Sequence, residues 1–199
     1  MKIVLIGATG TIGRLVTAAL APRHEVIGVT PSSGEHHADI TDPESIASLF
    51  GKLGKVDAIV AAAGRVHLGP LSEMTTEQFR IGIDQKLLGQ VNVALVGQHY
   101  LTDGGSITLT SGIVSEEPIR NGTNATAVNA AVEGFVRGAA VDLARGIRIN
   151  VVSPTVLRES AGRFGDAFAG FEPVDGERVA LAYVRSVEGA QTGRVYRVW

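Results

Sequence analysis

The sequence predicts an α/β fold, a doubly wound parallel sheet with helices on both of its faces. Short apolar segments that suit strands alternate along the chain with longer segments that suit helices, which is the order of a parallel sheet. The first apolar segment, Lys2–Ile6, is too short for a helix and suits a strand buried on both faces. No linker, low-complexity tract or internal repeat interrupts the 199 residues, so we predict one domain over residues 1–199.

The composition limits the class of protein and of site. Hydrophobic residues make up 45% and charged residues 19% of the chain, as in globular proteins. A net charge of −2 without a Lys/Arg run argues against a nucleic-acid partner. The chain has no cysteine for a thiolate site, and its histidines lack metal-ligand spacing, so we predict no metal. It enters a strand at once and has no apolar run of membrane-spanning length, so we expect a cytoplasmic protein without a membrane partner.

A glycine turn follows the first strand. Gly7, Gly10 and Gly13 stand at three-residue spacing between this strand and a helix that we predict over residues 14–20. The first glycine permits a tight turn, the second lets the backbone approach a pyrophosphate, and the third lets helix and strand pack closely. The free N–H groups of the helix N-terminus favour phosphate. An ordinary glycine-rich turn is the alternative, but we predict a dinucleotide site formed by Gly7, Thr9, Gly10, Thr11, Ile12 and Gly13.

Apolar runs and capping residues predict the other elements. Asp42 or Thr41 caps a helix with Pro43 in its first turn, and Thr75 or Thr76 caps a long helix. The predicted helices are 14–20, 43–53, 77–100, 123–145 and 173–187. The predicted strands are 2–6, 25–29, 36–38, 56–62, 106–110, 147–152 and 194–198. This order and the glycine turn are typical of a Rossmann-type fold, so we expect seven strands in the spatial order 3-2-1-4-5-6-7.

The end of the second strand lies where the adenosine ribose of a dinucleotide would bind. The loop there has neither the acidic residue that holds a ribose 2′-OH nor an Arg for a 2′-phosphate. It has Thr30, Ser32 and Ser33, whose hydroxyl groups can receive a phosphate, so we favour NADP as the cofactor, with NAD possible. A plain turn is the alternative. Asp39 and Ile40 either approach the adenine or serve a turn.

Several further motifs resemble the short-chain dehydrogenase/reductase family over almost the whole chain. They are the glycine turn, residues 61–64, residues 109–112, residues 148–154 and the late Thr192-Gly193. The resemblance implies an NAD(P)-dependent oxidoreductase that acts on a carbonyl or alcohol of a small molecule, as a homodimer or homotetramer. It also places Ala62, Ala63, Gly64, Pro154 and Val156 at the cofactor.

The catalytic residues of the family are replaced in this sequence. The family uses a Tyr and, four residues later, a Lys; Ala125 and Asn129 stand in those places, which makes the chain an atypical branch. Ser111 keeps its family place, where its hydroxyl would hydrogen-bond the substrate carbonyl. Lys86 stands where the family has an Asn on the preceding long helix. Ser111, Lys86 and Asn129 are therefore our candidate catalytic residues, although Lys86 could equally be a solvated or interface Lys.

Two functions remain open at this stage. The first is an NAD(P)-dependent oxidoreductase whose proton comes from Lys86. Glu116 or Glu117, in the loop after Ser111, could also supply the proton, but the simpler interpretation is that both are solvated carboxylates. The second is a catalytically impaired dinucleotide-binding protein that acts as a sensor, a partner subunit or a scaffold. The fold class alone does not distinguish them.

Overall fold

The fold is built on one parallel six-stranded sheet. The computed structural model describes residues 1–32 and 34–199 of the chain. The strands are β1 (Lys2–Ile6), β2 (Glu25–Val29), β3 (Val56–Ala61), β4 (Leu101–Thr110), β5 (Arg148–Pro154) and β6 (Val195–Val198). They lie in the order β2-β1-β3-β4-β5-β6, with every neighbouring pair parallel.

Six α-helices connect the strands and cover both faces of the sheet. They are α1 (Thr11–Leu20), α2 (Pro43–Leu53), α3 (Thr76–Gly82), α4 (Gly89–Gly97), α5 (Thr123–Asp142) and α6 (Gly176–Glu188). The predicted long helix 77–100 corresponds to α3 and α4, which a π-helical segment, Ile83–Leu88, joins into one helical stretch. Thr75 caps α3 in a capping box with Gln78, and Asp42 caps α2. Each is one of the two residues that the sequence predicted as the cap of its helix.

The prediction of a strand at residues 36–38, the third of the seven predicted strands, was wrong. In the part of the chain that the structure describes, this segment forms only a single parallel bridge, between Thr30 and His37. The strand does not form because of the composition of this segment. His37 is exposed, and Ala38 is the one residue of the three whose side chain is buried. Two neighbouring histidines give a strand no apolar face to bury. The remaining strands keep the predicted relative order, which is 2-1-3-4-5-6 after renumbering.

The core consists of one apolar layer on each face of the sheet. Val4 and Ile6 of β1 face α2, α4 and α5, whereas Ile3 and Leu5 face α1 and α6. All four side chains are at most 2% exposed, as predicted for a strand buried on both faces. Among the described residues no helix is both long enough and apolar enough to cross a membrane. The carboxyl ends of the six strands meet at one edge of the sheet, where ligands bind in such folds.

Candidate functional site

The glycine turn after β1 forms a concave backbone surface, the glycine cradle, which side chains at Gly7 and Gly13 would fill. Gly7 has a φ of +87°, and a Cβ there would lie 2.6 Å from the carbonyl oxygen of Ala62. A Cβ on Gly13 would lie 2.1 Å from the carbonyl oxygen of Gly7, so Gly13 packs α1 against the turn. Gly10 is the N-cap of α1, and no side chain caps this helix end. Its first N–H groups are therefore available to a phosphate.

Three cavities follow one another along the carboxyl edge of the sheet. The ribose-side cavity is lined by Ala8, Thr9, Arg14, Thr17, Gly28 and Thr30. The adenine-side cavity, of about 170 Å³, is lined by residues that include Gly7, Asp39, Ile40, Ala63 and Gly64. The main cavity, of about 360 Å³, is lined by residues that include Gly10, Thr11, Ile12, Ala62, Lys86, Ser111, Asn129, Pro154 and Val156.

These cavities bring together most of the residues that the sequence places at the cofactor or at catalysis. Gly13 lies beneath the turn and serves its packing. Ser32 is exposed and lines none of the three cavities. Ser33 lies outside the described residues, so its predicted role stays a prediction.

Arg14 is a residue that the sequence analysis missed. The loop after β2 has no Arg, but the first turn of α1 brings Arg14 into the ribose-side cavity beside Thr30. Gly28 of β2 leaves this space open because it carries no side chain. The position of Arg14 directly after the third glycine was the available signal, since the glycine turn aims this helix end at the cofactor site.

Asp39 and Ile40 have structural partners at the adenine-side cavity. Asp39 Oδ1 accepts hydrogen bonds from the N–H and the hydroxyl of Thr41, at 2.9 and 2.8 Å, which is the turn chemistry left open above. The Ile40 side chain packs against Gly89, where a Cβ would come within 2.7 Å of it. The Ile40 carbonyl accepts from Asn92 Nδ2 at 3.1 Å, which ties this loop to α4.

Lys86 projects from the π-helical segment into the main cavity. Its stem lies directly on Gly64, where an added Cβ would be 2.9 Å from the Lys86 Cβ. Its ammonium donates to the carbonyl oxygen of Ser111 at 3.4 Å. Burial lowers the pKa of the Lys86 ammonium to about 8. An extra residue per turn re-aims the side chains of a helix, and such π segments are frequent at functional sites.

Ala125 and Asn129 lie one turn apart on α5, and both line the main cavity. Asn129 is 3% exposed. Within the described part of the chain its Oδ1 has no hydrogen-bond partner. A buried acceptor without a partner is costly, so it indicates a place for a ligand group or a water. Lys86, Ser111 and Asn129 thus line one cavity, and their catalytic roles stay a prediction.

Ser111 has a partner that the sequence analysis missed. Its hydroxyl donates to Glu133 Oε1 at 2.8 Å, and Ser115 Oγ donates to the same oxygen at 2.7 Å. Glu133 is 2% exposed and lies one turn after Asn129 on α5. An acidic residue on the Asn129 face of a mostly apolar helix was the signal that could have identified it.

Other polar residues near the edge have structural roles. Glu116 forms an ion pair with Arg197, so it is not a free acid. Glu159 accepts from the N–H of Gly176 at 2.9 Å and so caps α6. Tyr183 is fully buried and hydrogen-bonds Thr110 Oγ1 at 2.7 Å, and burial raises the pKa of its hydroxyl. Neither Glu159 nor Tyr183 lines the main cavity.

Many of the other residues that line the main cavity are apolar. They include Val66, Leu68, Ile113, Val114, Ile119, Phe164 and Phe168. Phe164 and Phe168 contact each other edge to face, with ring centroids 5.4 Å apart. A ligand here would therefore have an apolar body and a polar group that faces Lys86 and Ser111.

Known proteins resemble the chain in sequence and in fold. A family model described as enoyl-(acyl carrier protein) reductase matches residues 13–195. The crystal structure of a Listeria innocua protein is 47% identical, with a TM-score of 0.98 and complete coverage of both chains. A small-chain dehydrogenase crystallised with NADPH is 28% identical, with a TM-score of 0.87 over 100% of this chain and 96% of that one.

Among curated proteins, the chain is similar to an uncharacterized oxidoreductase of Mycobacterium tuberculosis. The two are 26% identical over 80% of this chain and 68% of the relative. The family model spans more than half of the chain, and the glycine cradle and the edge cavities stand where a dinucleotide would bind. The chain belongs to the short-chain dehydrogenase/reductase family of NAD(P)-dependent oxidoreductases.

Proposed function

We propose that the protein is an NADP-dependent oxidoreductase that reduces a carbonyl or oxidises an alcohol on a small, largely apolar molecule. The observation that carries this proposal is the position of Lys86. It is a partly buried cation whose ammonium lies 3.4 Å from the Ser111 carbonyl, in the cavity that also reaches the glycine turn. A proton donor and the predicted nicotinamide end of the cofactor site therefore share one apolar space.

The residues present fit a dinucleotide. The turn from Gly7 to Gly13 and the uncapped start of α1 would hold the pyrophosphate. Arg14 and Thr30 would receive a 2′-phosphate, which favours NADP, and the relative crystallised with NADPH supports this choice. The adenine would lie along residues 38–40, and Pro154 and Val156 would border the nicotinamide. The nicotinamide supplies or accepts a hydride when it is bound.

The residues of the chain would manage the substrate oxygen and its proton. The Lys86 ammonium can donate a hydrogen bond and a proton to the oxygen of a carbonyl, and its lowered pKa suits that transfer near neutral pH. The free Oδ1 of Asn129 can hold a ribose hydroxyl or a water beside it. Lys86 and Asn129 thus take over, in exchanged positions, the work of the family Lys and Asn.

A second function is favoured by one observation. Ala125 lines the cavity at the place of the family Tyr, and it has no group that can transfer a proton. If Lys86 does not take over that transfer, the protein binds the dinucleotide without turnover and acts as a sensor, a partner subunit or a scaffold.

One experiment separates the two functions. Purified protein is titrated with NADPH and NADH by cofactor fluorescence, and the absorbance of NADPH is then followed with a panel of ketones, hydroxy ketones and quinones. We expect binding of NADPH and turnover with at least one apolar carbonyl compound. Tight binding without turnover on any compound would favour the second function, and an absence of binding would contradict both.

We also propose that the protein forms a homodimer or homotetramer through α4 and α5. Ile81, Leu88 and Leu95 are exposed apolar residues at seven-residue spacing along the stretch from α3 to α4. Gly134 and Gly138 on α5 have open space beside them, which would let another helix approach closely. An apolar stripe beside small residues suits a helix of a second copy.

A further inference from the structure

The carboxylate of Glu133 determines where the Ser111 hydroxyl directs its proton. A serine hydroxyl has one proton to donate, and an ionised carboxylate can only accept. Ser111 Oγ therefore donates to Glu133 Oε1, at 2.8 Å, and not into the cavity. Ser115 donates to the same oxygen from the other side, and Arg137 lies 3.4 Å from Oε2.

This network is buried and so is held in one arrangement. Glu133 is 2% exposed and Ser111 is 5% exposed, so bulk water does not compete for the hydrogen bond between them. A hydrogen bond to a charged acceptor is stronger than one between neutral groups. With its proton committed, Ser111 Oγ presents only lone pairs to the cavity.

The neighbouring polar groups make the cavity asymmetric. Asn129 Oδ1 is a second acceptor without a partner among the described residues. Lys86 is a donor whose ammonium contacts the backbone of the same Ser111. Thr155 also lines the cavity, and its buried hydroxyl has no hydrogen-bond partner among the described residues. Lys86 is therefore a donor at this cavity, whereas Ser111 Oγ and Asn129 Oδ1 are acceptors.

We propose that Glu133 is a positioning residue that holds Ser111 as a hydrogen-bond acceptor, so that the site selects an apolar substrate with a hydroxyl group beside its reacting oxygen. The Lys86 ammonium would contact the reacting oxygen, and Ser111 Oγ would accept from the neighbouring hydroxyl. Simple ketones, which have no donor, would leave the lone pairs of Ser111 Oγ without a hydrogen bond. The inference rests on the proposed oxidoreductase function for the identity of the reacting oxygen.

The test compares two probes of similar size in the NADP⁺-loaded protein. The first is 4-ethylphenol, which has an O–H donor, and the second is 1-ethyl-4-fluorobenzene, which has none; neither undergoes hydride transfer. Their dissociation constants are measured by ligand-detected NMR. We expect 4-ethylphenol to bind about tenfold more tightly, as one hydrogen bond in a buried site requires. Equal affinities, or tighter binding of the fluoro compound, would overturn the proposal.

Variants assign the preference to Glu133. Glu133→Met has similar volume but no carboxylate, so the Ser111 hydroxyl loses its fixed orientation and its proton can turn into the cavity, and the preference should fall clearly below tenfold. Ser111→Ala should remove it as well. Ser115→Ala is the matched control, because Ser115 also donates to Glu133 but does not line the cavity, and it should keep the full preference. A preference that survives Glu133→Met would mean that Glu133 is only structural.

A second measurement uses the unaltered protein. The ¹³C chemical shift of the Glu133 carboxyl group, assigned by its loss in Glu133→Met, should be that of a carboxylate at pH 7. The shift of a protonated acid would overturn the inference, because Glu133 could then donate to Ser111. The protein is titrated with NADP⁺ first. If NADP⁺ does not bind, the proposed function fails. If NADP⁺ binds but the two probes bind with equal affinity, this inference alone fails.

Discussion

The ammonium of Lys86 lies 3.4 Å from the carbonyl oxygen of Ser111, across the gap between the π-helical segment and the end of β4. This contact places a cation beside the candidate catalytic Ser. It requires Gly64, because any side chain at that position would meet the stem of Lys86. A positive φ of 132° at Gly64 adds a second reason for glycine there.

The buried Lys86 should reduce the stability of the protein without cofactor in a pH-dependent way. Its pKa falls from 10.5 to about 8 in the folded state, so between these values the unfolded state binds the proton and the folded state does not. Stability of the unaltered protein relative to Lys86→Met should therefore rise as the pH increases from 8 to 10.5, by about 2 kcal/mol after allowance for water in the cavity. Below pH 8 the difference should be constant.

Urea unfolding at intervals from pH 7 to pH 10.5 measures this difference. Lys52→Met, at an exposed site in the last turn of α2, is the control for removal of a lysine charge and should show no such rise. If the free energies of unfolding of Lys86→Met and of the unaltered protein change in parallel with pH, Lys86 is solvated.

The same group should shape the pH dependence of turnover. Reduction of a carbonyl needs the protonated ammonium, so kcat/KM for reduction should be constant below pH 8 and fall above it, about tenfold for each pH unit. Oxidation of the product alcohol needs the neutral amine, so it should rise with pH up to about 8 and be constant above it. Lys86→Arg keeps its charge but does not release its proton, so its reduction rate should be much lower, and the residual reduction should lose the fall near pH 8. An unchanged profile in Lys86→Arg would assign the proton to another group.

Replacement of Gly10 should block the cofactor and spare the fold. A Cβ on Gly10 would be 3.3 Å from the Gly7 carbonyl oxygen, and its φ of −70° and ψ of 170° suit any residue. Gly10→Val should therefore fold, with about 1 kcal/mol lost at the helix cap, but its side chain would stand where the pyrophosphate approaches. Fluorescence titration should show NADPH affinity at least about tenfold weaker. Gly51→Ala, at an open site on α2, is the control, and unchanged affinity in folded Gly10→Val would defeat the prediction.

Arg14 should distinguish NADPH from NADH. We expect the unaltered protein to bind NADPH more tightly, because the guanidinium in the ribose-side cavity can contact a 2′-phosphate. Arg14→Met keeps the apolar stem and should weaken NADPH binding by about tenfold, with NADH little changed. The preference should also decrease as salt concentration rises. Equal affinities in the unaltered protein would remove the roles proposed for Arg14, Thr30, Ser32 and Ser33.

Charge on the exposed stripe should separate the subunits. Leu95 is 51% exposed and borders a groove with Phe135 and Gly138. Leu95→Glu would bury charge in an interface between copies, so the mass in solution should fall to that of one chain. Leu181→Glu, at an exposed apolar site on α6, is the control. A single-chain mass for the unaltered protein would contradict the proposed oligomer.

The sequence by itself determined the fold class, the starts of α2 and α3 to within one residue, and the edge of the sheet that holds the candidate site. These features follow from local patterns: a strand buried on both faces, capping residues, and glycines that the backbone of a βα turn requires. Gly13 depends on Gly7 and Ala8, neighbours close in the chain that a sequence displays directly, whereas Gly7 also approaches Ala62, which only the fold brings near.

Only the tertiary structure decided which distant side chains meet. The third predicted strand was lost because residues 36–38 had no apolar face to bury. The bond of Ser111 to Glu133 joins residues 22 positions apart, and the contact of Lys86 with Ser111 joins residues 25 apart. Such contacts depend on helix rotation, on the π-helical segment and on burial, none of which has a local signature. The sequence therefore located the site, whereas packing decided which of its groups donate and which accept.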